Sequence, residues 1–292
     1  MDAVKTFSRG RLTFPVRDSG DRGGDRGAPI AVLLHGFPQD PASWDRVTDG
    51  LVAAGWRTLV PTQRGYAETA RPSGRWAYRI SELVADVVTL IDTSGADRVH
   101  LVGHDWGGGV AWATAAAVPE RLSGLTVLST PHPGALARSL VTSGQALRSW
   151  YMGFFQLPVL PELALSRTLR DTLTAGPDGL PPEVADRLTA MMADPATRTA
   201  AINWYRGGLF SLFDRVGPAR VPTTYVWGSD DPFLGRAAAE HTGDHVEAPY
   251  RFVELDAGHW LPELHPDAVV RAVLDPPTDR LGDQDAPAEE TG

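Results

Sequence analysis

Val99-His100-Leu101-Val102-Gly103-His104-Asp105-Trp106-Gly107-Gly108-Gly109 is the stretch that decides how this chain folds. Val99 to Val102 has strand character and stops abruptly at Gly103. Asp105 stands between Gly103 and Gly107, and the pattern predicts a helix from about Gly108 toward Val118. Strand, tight turn and helix in that order are the context of a nucleophile elbow, G-x-nucleophile-x-G. The flanking positions need glycine, because side chains there would clash across the turn. The apex residue is pushed out above the sheet edge, and here it is an aspartate. A carboxylate is ionised at neutral pH and needs no base to activate it. It is a poor reagent against amides and esters. It can attack a saturated carbon that carries a leaving group, forming an alkyl-enzyme ester, which suits epoxides and alkyl halides. The competing reading is an Asp that only caps the next helix, and the motif alone favours that. Residues elsewhere in the chain reverse the balance.

The 292 residues suffice for one large α/β domain with an insertion, or for two small domains. A formal net charge of −9 argues against a nucleic-acid partner. With no cysteine there are no disulfides, no thiol catalysis and no thiolate metal site. The N-terminus, Met1 to Lys5, lacks the basic and apolar regions of a signal peptide, and no apolar run is long enough to span a bilayer. The expectation is a cytoplasmic protein without a membrane partner. Lys5 is the only lysine among many arginines, which reflects coding composition rather than function.

The chain on either side of the elbow has an alternating rhythm. Residues 10–17 alternate like an early strand, and 18–29 are rich in Gly, Arg and Asp, as in a loop. Ile30 to Leu34 is a continuous apolar run, the mark of a strand buried on both faces. Asp40-Pro41 suits a helix start, with the helix reaching Ala54. Arg57 to Pro61 reads as a strand and Ser81 to Asp92 as an amphipathic helix with Gly95 at its end. Leu125 to Ser129, Thr223 to Trp227 and Arg251 to Leu255 are further strands, and 266–274 a last helix. Strands alternating with helices imply an α/β fold, a mostly parallel sheet with helices on both faces. From Pro131 to Asp214 the rhythm is helical, punctuated by prolines, as in an inserted helical cap. The expected division is a core of 1–132 and 215–275, a cap of 133–214, and a polar, disordered tail of 276–292.

Phe37, Asp105, Asp231 and His259 each follow the C-terminal end of a predicted strand, where sites form in open α/β sheets. Their order is nucleophile, acid, histidine. With His35-Gly36-Phe37-Pro38, Arg64-Gly65-Tyr66, Gly103-His104-Asp105-Trp106-Gly107-Gly108, Gly228-Ser229-Asp230-Asp231 and Gly258-His259-Trp260, the chain resembles the α/β-hydrolases of the epoxide hydrolase family, close relatives of the haloalkane dehalogenases. The resemblance covers about residues 10–274. It implies an oxyanion hole from the Phe37 and Trp106 amides. It implies His259 as the base for the hydrolytic water, oriented by a carboxylate. The two adjacent candidates for that carboxylate are Asp230 and Asp231, and the family pattern favours Asp231. His35, His104, His132 and His265 read as structural, and no ligand spacing suggests a metal.

The resemblance also implies two cap tyrosines that grip and protonate the epoxide oxygen. Asn203-Trp204-Tyr205-Arg206 matches one motif well and assigns Tyr205. Tyr151-Met152-Gly153-Phe154-Phe155-Gln156 matches the other loosely and assigns Tyr151. Trp150, Phe154, Phe155, Trp204 and Trp260 are the expected substrate lining. No cofactor is implied. The expected partners are a small hydrophobic epoxide and water, with a homodimer left open. A haloalkane dehalogenase would hold its halide with Trp106 and either an Asn in the oxyanion loop, which is missing here, or a cap tryptophan, Trp150 or Trp204. The Arg that follows the nucleophile in fluoroacetate dehalogenases is Trp106 here. The same fold could also serve a non-catalytic binder of small molecules.

Overall fold

The computed structural model describes residues 3–22, 27–208 and 216–278. Two strands, β1 (Thr6–Arg9) and β2 (Leu12–Asp18), form an antiparallel hairpin where the alternation suggested one strand. Then come β3 (Ile30–Leu34), β4 (Arg57–Pro61), β5 (Val99–His104), β6 (Leu122–Leu128), β7 (Thr223–Gly228) and β8 (Tyr250–Leu255). They form one sheet in the order β1-β2-β4-β3-β5-β6-β7-β8. β2 joins β4 antiparallel, and all pairs from β4 to β8 are parallel.

Helices cover both faces, as the apolar strands require. Ala31 and Leu33 of β3 face a cluster with Val47 and Leu51 of α1 (Asp45–Ala53). Val32 and Leu34 face the opposite cluster, with Leu83 and Val87 of α2 (Ile80–Ser94) and Val110 of α3 (Trp106–Ala117). The two-residue period of a strand divides its side chains between two cores in this way. Asp40 caps a 3₁₀ turn ahead of α1, its carboxylate accepting the Ala42 N–H at 3.0 Å. Gly95 ends α2 in the left-handed region at φ 71°. α3 begins at Trp106, two residues before the predicted start at Gly108. The run of glycines has low helix propensity, but packing on the sheet overrides it.

Between β6 and β7 the described chain is helical, with no strand: α4 (Pro133–Thr142), α5 (Gln145–Arg148), α6 (Trp150–Phe154), α7 (Leu160–Leu173), α8 (Pro182–Ala193) and α9 (Pro195–Gly208). α10 (Arg236–Glu240) lies between β7 and β8, while α11 (Leu261–Leu264) and α12 (Pro266–Leu274) follow β8. The expected end of the helical segment and most of the expected tail lie outside the described residues. No helix among the described residues is long and apolar enough to cross a membrane.

The strand order reverses at β3, which has β4 on one side and β5 on the other. Leu34 and Gly103 are register partners there. Loops leaving the two strands diverge and open a crevice at their C-terminal ends. α9 is held beside that crevice, with the Trp204 indole N–H donating to the Arg64 carbonyl at 2.8 Å. The Arg64-Gly65-Tyr66 motif is therefore structural here, since its backbone anchors the helix that carries Tyr205.

Candidate active site

The elbow glycines leave room where three backbones meet. A Cβ on Gly103 would overlap the Gly107 carbonyl, and one on Gly107 would overlap the Leu34 carbonyl. Gly36 faces the Asp105 side chain just as closely. The tight turn puts Asp105 at φ 51°, ψ −122°, a conformation an L-residue adopts at a cost of about 1–3 kcal/mol. Its side chain makes no capping hydrogen bond to α3, so the helix-cap reading fails. Instead Oδ1 accepts the Phe37 N–H at 2.7 Å, and Oδ2 lies 3.7 Å from Nε2 of His259. No hydrogen bond joins the Trp106 amide to this carboxylate; of the two expected oxyanion donors, Phe37 is the one engaged.

His259 and Asp231 complete a line. Nδ1 of His259 is 2.7 Å from Oδ2 of Asp231, and the Phe233 and Leu234 amides donate to Asp231 Oδ1 at 2.8 and 3.0 Å. Asp231 is buried and Asp230 exposed, which separates the two adjacent candidates. The carboxylate is an acceptor only, so Nδ1 carries the hydrogen and Nε2 is left facing Asp105. Burial opposes a charge on the His259 ring, but the Asp231 and Asp105 carboxylates outweigh it and push its pKa up to about 10. Burial likewise pushes Asp105 upward, while His259 and the Phe37 amide hold it below its ordinary value.

Aromatic rings roof the carboxylate. Tyr205 is buried, edge-on to Trp106 at 5.0 Å, to Phe37 at 5.2 Å and to Phe155 at 4.6 Å between ring centres. Tyr151 lies 6.0 Å from Tyr205 and 5.7 Å from Phe233. Burial and the nearby Asp105 charge raise both phenols above their usual value, so both keep their protons at neutral pH. Phe155 packs on Phe37, and Trp260 stands edge-on to His259 at 5.1 Å. Phe154 sits one layer out, against Phe155.

Two expected lining residues are placed otherwise. Trp150 is 67% exposed: it opens a one-turn helix, where Tyr151 takes the inward direction and its neighbour points to solvent. Trp204 is buried behind the site, touching Trp106 and Tyr66, with its N–H already used by Arg64. Phe233 is not among the residues expected from sequence, yet its ring stands 5.0 Å from His259. The signal is there to be read, because it lies two residues past Asp231 in the same turn.

A family model of the alpha/beta hydrolase fold matches residues 29–266. Epoxide hydrolase A of Mycobacterium tuberculosis is 34% identical, over 86% of this chain and 91% of that protein. The AB hydrolase superfamily protein YfhM of Bacillus subtilis is also 34% identical, over 94% of this chain and 98% of its own length. Among solved structures, an epoxide hydrolase from metagenomes of hot environments superposes with a TM-score of 0.80 at 26% identity, covering 92% of this chain and 96% of that one.

Proposed function

The chain belongs to the α/β-hydrolase fold family and, within it, to the epoxide hydrolases, and from that premise we propose that Asp105 opens the epoxide as a nucleophile and that a diol leaves by hydrolysis of the resulting ester. The observation that carries this reading is the line Asp105–His259–Asp231 beneath two protonated tyrosines. Oδ1 is anchored by Phe37, which leaves Oδ2 to attack the epoxide carbon. Tyr151 and Tyr205 hydrogen-bond the epoxide oxygen, and one of them protonates it as the C–O bond breaks. Solvent then restores the tyrosine proton. Holding the epoxide against Oδ2 makes the step effectively unimolecular.

Esterification also prepares the second step. The ester carries no charge, so one of the two carboxylates that keep His259 protonated disappears. At 3.7 Å and an effective dielectric constant of about 20, that pair is worth on the order of 4 kcal/mol. Losing it brings the ring's pKa from about 10 back toward neutrality. The ring then gives up its proton to solvent, and His259 becomes a base once there is an ester to hydrolyse. It takes a proton from water, the water oxygen attacks the Asp105 carbonyl carbon, and the Phe37 amide stabilises the oxyanion. Collapse releases the diol and regenerates the carboxylate.

The dehalogenase alternative loses its second halide ligand, because the Trp204 N–H is occupied and Trp150 faces solvent. The test is a product assay on aryl and alkyl epoxides and on haloalkanes, with Asp105→Asn as control. Diol formed only by the wild type is the expected result. Halide release without diol would overturn the reading.

A further inference from the structure

Asp231 stands in a turn, residues 231–235, that belongs to no helix or strand. Such a turn needs partners to hold one shape, and Asp231 supplies some of them by accepting the Phe233 and Leu234 amides. The rest come from α5, on the far side of the turn. Gln145, the first residue of α5, is buried. Its Nε2 donates to the Phe233 carbonyl at 2.8 Å and to Ser149 Oγ at 2.9 Å, and its Oε1 accepts the Gly235 N–H at 2.8 Å. The Phe233 carbonyl can only accept and the Gly235 N–H can only donate, so the amide has a single orientation with both its hydrogens used. The Phe233 main chain is thus gripped on two sides, its N–H by Asp231 and its carbonyl by Gln145. Arg148 adds bonds to the Asp231 and Pro232 carbonyls at 3.0 and 3.4 Å, but it is exposed and water competes for them.

The same amide reaches toward Tyr151. Ser149 lies four residues after Gln145, on the same face, and its N–H donates to the Gln145 carbonyl at 2.9 Å. The Ser149 carbonyl in turn accepts the Met152 N–H at 3.0 Å, in the single turn that carries Tyr151. Helices of four and five residues do not hold themselves together, so external bonds decide where Tyr151 stands. At the other end of that turn, the Gln156 side-chain amide donates to the Met152 and Tyr205 carbonyls at 3.1 and 3.0 Å. The Tyr151 ring closes the circuit, edge-on to Phe233, whose ring stands against His259.

We infer that Gln145 is a positioning residue that locks the acid turn and the Tyr151 turn into one unit, so that the proton donor for epoxide opening and the acid of the hydrolytic pair are set together. Gln145 touches neither substrate nor reacting atoms. It acts on the first step through Tyr151 and on the second through the main chain of Phe233 and Gly235, which holds Asp231. This role rests on the epoxide reading for its chemistry, while the clamp itself does not.

The test begins without substrate. The Gly235 amide should exchange slowly with deuterated solvent in the wild type; fast exchange overturns the clamp, whether or not any variant folds. Enzyme labelled with 3-fluorotyrosine and ¹⁵N-histidine is then compared with Gln145→Leu, and with Gln145→Glu, which keeps the acceptor for Gly235 but loses both donors. The Tyr151 and His259 signals are assigned by their absence in Tyr151→Phe and His259→Gln. Both signals should move together in each variant, and movement of only one, or of neither, overturns the coupling. The kinetic arm is a double-mutant cycle with Tyr151→Phe, in which ester formation and ester hydrolysis are timed separately. Gln145→Leu should slow each step by about 10–100-fold, as small misplacements of reacting groups do. In the Tyr151→Phe background it should slow opening little further, yet slow hydrolysis by the same factor as before. An equal factor on opening in both backgrounds would mean that Gln145 only stabilises the fold, and would overturn the positioning role. Absence of any ester with the clamp intact would count against the epoxide route and not against the clamp.

Discussion

Asp105 and His259 divide their four polar atoms with little overlap. One carboxyl oxygen is held by Phe37 and the other faces His259, while one ring nitrogen is held by Asp231 and the other faces Asp105. Asp231→Asn cannot impose the same tautomer, and the rate should fall by roughly 10²–10⁴-fold, with ester accumulating because hydrolysis suffers first. Rapid-quench detection of the ester checks this; a slow variant that accumulates no ester contradicts it. Tyr205→Phe should lower the rate of epoxide opening by about 10²-fold or more and leave folding intact. Stopped-flow tryptophan fluorescence and a thermal melt read the two separately. At this scale the sequence is most legible where chemistry demands one residue type. Asp105, His259 and Tyr205 stand where the motifs put them. Trp150 misleads because an aromatic beside a site residue in sequence can face away from it on a helix. The buried hydrogen bonds that join Gln39, His104 and the His259 carbonyl oxygen, at 2.6 and 2.8 Å, are not legible, because they link loops distant in sequence.

The elbow is set by backbone packing rather than by side-chain contacts. Gly107→Ala should destabilise the protein by more than about 2 kcal/mol, because the added methyl meets the Leu34 main chain, which cannot yield as a side chain would. Gly109→Ala is the control, with nothing within 4 Å of its added methyl. It should be neutral or slightly stabilising in the α3 interior. Urea midpoints of both variants check the contrast, and equal stability would contradict it. Long periodic elements such as α2 and the apolar β3 and β4 are legible to within two residues. The short helices α10 and α11 are not, since four or five residues hold too little of a helical period to be seen.

Across the whole molecule, buried imidazoles tie stability to pH. His35, His100 and His132 lie in the interior, and burial pushes each pKa down to about 4. The native rings stay neutral while the unfolded chain takes up protons below about pH 6.5. Their depressed pKa therefore means stability that is full above about 6.5 and lost as pH falls toward 4, by roughly 2 kcal/mol per ring at about pH 5. Urea midpoints at pH 7 and pH 5 should show that loss, and His100→Gln should reduce the slope. A flat profile would contradict the burial of these rings. The parallel sheet and the helical excursion between β6 and β7 are visible from rhythm alone. What rhythm does not show is how that excursion seats its aromatics over Asp105, because such contacts depend on three-dimensional packing.

The central claim is that the reaction passes through an ester on Asp105. A single turnover in ¹⁸O-water, with enzyme in excess over epoxide and mass spectrometry of both the diol and the Asp105 peptide, tests it most directly. The proposed route puts the label in Asp105 and releases an unlabelled diol, whose new oxygen came from the carboxylate. Label appearing in the diol at the first turnover, with Asp105 unlabelled, would mean that water attacks the epoxide itself and would contradict the account.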